Sequence, residues 1–82
     1  MPELLFYTTE GCHLCEYAEA MLDDLARSGK IRARPVDISE SEELVERYGL
    51  TIPVLRNPRS GRELNWPFNT EQIIELLQTD TG

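Results

Sequence analysis

Cys12 and Cys15 are the two thiols of the chain, and only His13 and Leu14 stand between them. A pair at this spacing can do two kinds of chemistry. As a dithiol it opens and closes disulfides, one thiolate attacking and the other resolving the mixed disulfide. As half of a thiolate set it holds a metal ion or cluster, with further ligands supplied from elsewhere. It is a poor framework staple, because the loop it closes is about one helical turn and constrains little of the unfolded chain. A reducing compartment would keep both sulfurs as thiols at rest, which suits a catalytic or sensing pair.

The elements around the pair decide how far its chemistry can be tuned. Glu3-Leu4-Leu5-Phe6-Tyr7, bounded by Pro2 and the polar Thr8-Thr9-Glu10-Gly11, reads as a buried central strand that ends just before Cys12. From Leu14 the residues Tyr17, Ala18, Met21, Leu22 and Leu25 fall on one helical face, and Ser28-Gly29 supplies the stop. The dithiol therefore belongs at a strand-to-helix junction. There the unpaired backbone N–H groups and the positive end of the helix dipole favour an anion, so the thiol of Cys12 should ionise below its free value of about 8.5. Cys12 is the candidate nucleophile and Cys15, one turn on, the candidate resolving thiol. His13 is a candidate donor or cation beside the thiolate, set against the plain alternative of a residue facing water.

Further along, Ile31-Arg32-Ala33-Arg34-Pro35-Val36 alternates like a half-exposed strand, and Pro35 assigns it to a sheet edge. Ser39 and Glu42 fit a capping box for a short helix burying Leu44, Val45 and Tyr48 before Gly49. Pro53-Val54-Leu55-Arg56 and Arg62-Glu63-Leu64-Asn65 read as antiparallel strands joined through Pro58-Arg59-Ser60-Gly61. Asn69 with Gln72 caps a last helix carrying Ile73, Leu76 and Leu77, which frays into Thr79–Gly82. Tyr17 and Tyr48 lie on apolar stripes and are expected in the core with wet hydroxyls. Glu40, Glu42, Glu43 and Glu46 are expected to form an ordinary charged outer face.

Eighty-two residues with one set of core elements make a single domain, 1–82. Fifteen acidic against eight basic side chains give a net charge of −7, which repels nucleic acid and anionic membrane surfaces and argues against both as partners. No apolar run approaches the roughly 20 residues of a membrane helix, and the first residues lack the basic flank of a signal peptide. The expectation is a cytoplasmic monomer.

Cys12-x-x-Cys15 after a strand and before an amphipathic helix, together with Thr51-Ile52-Pro53 ahead of the third strand, resembles the thioredoxin superfamily and glutaredoxins in particular. The resemblance implies an α/β thioredoxin-like fold, ordered βαβαββα, with three helices and a four-stranded mixed sheet in the order 2-1-3-4. It implies that Cys12 attacks, that Cys15 resolves, and that Pro53 is cis with the Ile52 backbone free to pair with an extended substrate. It also implies a thiol-disulfide oxidoreductase, with no permanently bound cofactor, acting on protein disulfides or glutathione-linked substrates; glutathione is a candidate reductant or substrate. Glutaredoxins usually carry a proline and a tyrosine between the cysteines, a basic residue shortly before them and paired glycines after the fourth strand. Here those places hold His13 and Leu14, Thr8-Thr9, and Asn65-Trp66-Pro67-Phe68.

Chain direction brings in one more residue. If the third strand runs antiparallel to the first and the fourth antiparallel to the third, Trp66 returns to the dithiol end of the sheet and borders the site. The plain alternative is an indole that only caps the core. Two other functions stay open beside exchange: a metal or cluster module using both thiols with a second subunit or an outside thiol, and an interaction module on the same scaffold with little turnover.

Overall fold

The computed structural model describes residues 3–78, so the readings at Pro2 and at the frayed 79–82 lie outside the described residues. In chain order the elements are β1 (Glu3–Thr8), α1 (His13–Arg27), β2 (Arg32–Asp37), a single 3-10 turn (Ile38–Glu40), α2 (Glu42–Tyr48), β3 (Val54–Arg56), β4 (Glu63–Asn65) and α3 (Thr70–Gln78). The strands form one mixed sheet in the order β2-β1-β3-β4. β1 and β2 run parallel, from Glu3 opposite Arg32 to Thr8 opposite Asp37. β3 lies antiparallel to β1, with Tyr7 opposite Val54, and β4 antiparallel to β3, with Val54 opposite Asn65.

The pleat sorts the strand residues between two cores. Leu4, Phe6 and Leu55 pack with Cys15, Ala18, Leu22 and Leu25 of α1 and with Ile73 and Leu76 of α3. Tyr7 and Val54 turn to the other face, against Ile38 and Tyr48. Both faces of β1 are thus covered, which is what its uninterrupted apolar run requires. Each large apolar side chain buried in this way contributes roughly 1.5–3 kcal/mol. Asn57, 2 % exposed, ties the β3–β4 turn to the end of α3: its side-chain N–H donates to the Leu76 carbonyl at 3.0 Å and its Oδ1 accepts from Arg59 N at 3.0 Å.

Local signals set the element ends. Asn69 and Gln72 form the expected box, each side chain accepting from the other's backbone N–H at 2.8 and 2.9 Å. Ser39 does not cap α2. Asp37 takes its N–H and hydroxyl at 2.9 and 2.8 Å and starts the 3-10 turn, while the buried Ile38 anchors that turn to the core. The helix then begins two residues later, and Ser41 Oγ accepts from Leu44 N at 3.4 Å. Tyr48 is buried as expected, but Tyr17 is 66 % exposed and Val45 46 %. The buried stripe of α1 is Cys15, Ala18, Leu22 and Leu25, and the cysteine takes the place that the pattern offered to tyrosine.

Candidate active site

Cys12 occupies the N-cap of α1, with extended backbone (φ −94°, ψ 105°), and its Sγ accepts from Cys15 N at 3.1 Å. The preceding turn needs Gly11 at φ +78°, a conformation that side chains with a Cβ rarely adopt. Cys12 and Cys15 are joined as a disulfide with their Cα atoms 5.2 Å apart. Their surroundings differ. Cys12 is half-buried at the protein surface, whereas Cys15 is 2 % exposed within the core shared by β1, α1 and α3. When the disulfide opens, the Cys15 amide and the first turn of α1 favour a thiolate at Cys12, and the apolar surroundings of Cys15 favour its neutral thiol.

The second wall comes from the loops before β3 and after β4. The Ile52–Pro53 bond is cis, and so is Trp66–Pro67, which nothing in the sequence announces. Because Tyr7 pairs with Val54 and Val54 with Asn65, the antiparallel directions carry both bonds to the end of the sheet where β1 runs into the dithiol loop. Trp66 N donates to the Pro53 carbonyl at 3.3 Å. Leu14, between the cysteines, lines a groove with Leu50, Thr51, Ile52, Asn65 and Trp66. Cys12, Ile52 and Trp66 all pack against the core that contains Cys15, and the indole meets Phe68 edge to face at 5.1 Å.

His13 is fully turned to water, and the charged group it reaches is Glu16, with Nδ1 3.6 Å from the carboxylate. On the other side of the dithiol a groove is lined by Thr8, Thr9, Glu10, Glu16, Glu19 and Asp37 together with both cysteines. Thr9 Oγ1 donates to Asp37 at 3.3 Å and ties the loop to the end of β2. The Ser39 N–H and hydroxyl hold the Asp37 carboxyl below the usual aspartate range. Among the described residues no three His, Cys, Asp or Glu side chains converge as a metal site would need, and no helix is long and apolar enough to cross a membrane.

The glutaredoxin-like domain family, DUF836, matches residues 3–78. The chain belongs to that family. None of the curated proteins matches it. Among solved structures, protein XcR50 from X. campestris is 37 % identical with a TM-score of 0.73, over 93 % of this chain and 96 % of that one. Ne2328 from Nitrosomonas europaea is 30 % identical with a TM-score of 0.77, over 95 % and 94 %. Thioredoxin 1 from Thermosipho africanus, at 12 % identity and a TM-score of 0.67 over 94 % and 91 %, shares the fold. The thioredoxin-like architecture expected from the dithiol and Pro53 is therefore the architecture of this glutaredoxin-like domain.

Several residues of the site carry no mark in the sequence. Tyr48 looks like a core aromatic, yet its carbonyl also accepts from Thr51 N at 2.9 Å and Ile52 N at 3.0 Å and so holds the loop before Pro53. Its ring stacks on Tyr7 at 4.2 Å and its hydroxyl donates to Glu63 of β4. Burial raises the phenol above its ordinary value, and the Glu63 hydrogen bond adds to this. Thr9 and Asp37 are 28 positions apart, beyond any local pattern. Leu50, whose relative exposure reaches 103 %, falls outside every periodic stripe.

Proposed function

We propose that this glutaredoxin-like domain is a thiol-disulfide oxidoreductase. The observation that carries the reading is the asymmetry of the pair: one sulfur at a helix N-cap and half-exposed, the other one turn along and buried. Cys12 thiolate attacks a substrate disulfide, forms a mixed disulfide and releases the first substrate thiolate. Cys15, losing its proton, attacks Cys12 Sγ, closes the intramolecular disulfide and releases the second. The substrate disulfide gains two electrons and becomes two thiols, taking one proton from Cys15 and one from water; the pair loses the two electrons, and a thiol or dithiol reductant from outside restores it. Protein disulfides and glutathione-linked thiols are the two substrate classes, with glutathione a candidate reductant. The backbone at Ile52 and the groove beside Trp66 would receive the substrate chain, and His13 would touch the attacking end.

Stopped-flow mixing of the reduced protein with a model protein disulfide tests the reading. One disulfide should be reduced per chain oxidised, the Cys12→Ser variant should be inert, and Cys15→Ser should stop at a mixed disulfide seen by mass. Exchange that persists without Cys12, or none in the native protein, overturns it.

A further inference from the structure

We propose that the dithiol selects protein disulfides whose cysteine is flanked by basic residues, and that it disfavours glutathione disulfide. This rests on the exchange chemistry above and names its substrate. The groove beside Cys12 and Cys15 presents Glu10, Glu16, Glu19 and Asp37 and no basic side chain. The three glutamates are exposed, and Asp37 is fixed by Thr9 and Ser39. On the opposite side Leu14, 48 % exposed, and the fully exposed Leu50 stand with Ile52 and Trp66 as an apolar wall.

Six of the eight basic side chains lie at the far end of the sheet; of the other two, Arg34 is in mid-β2 and Arg47 of α2 reaches Glu63. Arg27, Lys30 and Arg32 sit where α1 ends and β2 begins, and Arg56, Arg59 and Arg62 flank the β3–β4 turn. The parallel pairing of β1 with β2 and the antiparallel pairing of β1 with β3 put both groups at the end of the sheet away from the dithiol. The molecule is thus polarised, acidic at its reactive end. Such a field steers a cationic partner toward Cys12 and repels an anionic one. Glutathione carries two carboxylates and one ammonium per molecule, so its disulfide approaches against the field. A lysine or arginine beside a partner's cysteine meets the carboxylates while a neighbouring apolar side chain covers Leu14 and Leu50.

The test uses the reduced protein and two peptide disulfides that differ only in Lys or Glu beside the cysteine, with glutathione disulfide as a third substrate. Each rate is divided by that of the same disulfide with dithiothreitol, which removes differences in intrinsic reactivity. The Lys peptide should react roughly tenfold faster than the Glu peptide at low salt, with the ratio falling toward about twofold near 0.5 M as exposed charges are screened. Glutathione disulfide should follow the Glu peptide. A variant combining Glu10→Gln, Glu16→Gln and Glu19→Gln should lose most of the preference, and the ratio cancels any common change in thiolate fraction at Cys12. Equal normalised rates, a preference for the Glu peptide, or a ratio indifferent to salt overturns the basic-partner assignment while leaving the dithiol chemistry standing. Exchange with none of the three overturns both.

Discussion

Cys12 and Cys15 are three residues apart and meet different physical conditions. The first accepts a backbone N–H at a helix start, and the second is sealed in the core. Iodoacetamide at neutral pH should therefore modify Cys12 of the reduced protein at least about tenfold faster than Cys15, by mass mapping; the opposite order would exchange their roles. The spacing made this pair readable, because a helix turns two residues apart by three onto one face. Asp37 was not readable in the same way, since its partners are a loop threonine and a turn serine. Its carboxyl is held down chiefly by the Ser39 N–H, so its pKa is lower folded than unfolded. The stability it adds is complete above the ordinary aspartate value of about 3.9 and is lost as the pH falls through the folded value. Carboxyl NMR should show Asp37 protonating below about 3.9, and Asp37→Asn should remove its share of the acid-side loss. A midpoint at or above the ordinary value would mean that the Ser39 contact does not persist.

At the scale of the element, readable features were those with short-range causes. The Asn69–Gln72 box, the Gly29 stop of α1 and the turn at Pro58–Gly61 each depend on a few neighbouring residues. Ser39 misled because a serine three residues before a glutamate has the right spacing, while the competing acceptor, Asp37, had already turned the chain. Tyr17 misled because apolar periodicity cannot tell a wide stripe from a narrow one, and the narrow one was completed by Cys15. Asn57 had no local signal, as it joins the β3–β4 turn to a carbonyl in α3. Asn57→Ala removes that buried hydrogen bond and should destabilise the fold by about 0.5–1.5 kcal/mol in urea denaturation. A loss below a few tenths would show that water replaces the bond.

Across the whole molecule, the strand order was what the resemblance to thioredoxin-superfamily proteins implied, while the tight turn announced the antiparallel β3–β4 pair; in the structure β1 and β2 run parallel and β3 lies antiparallel to both its neighbours. Those directions gather the loop after β1, the loop before β3 and the loop after β4 at one end, where Trp66 reaches the Pro53 carbonyl. As the only tryptophan, it should report on the dithiol, with emission that differs between oxidised and reduced protein. Identical spectra in the two states would separate the indole from the redox centre. Among the described residues no strand pairs with the outer side of β2. This edge strand carries Pro35 in mid-strand between exposed Arg34 and half-buried Val36, and proline is tolerated on an edge because the N–H it lacks would otherwise face water. A second molecule arriving there as an added strand finds a gap in the donor row and a guanidinium beside it, so the edge is a poor template for fibre growth. Pro35→Val would restore the donor. On prolonged shaking it should shorten the lag before thioflavin-positive aggregates appear, with the dithiol end unaltered.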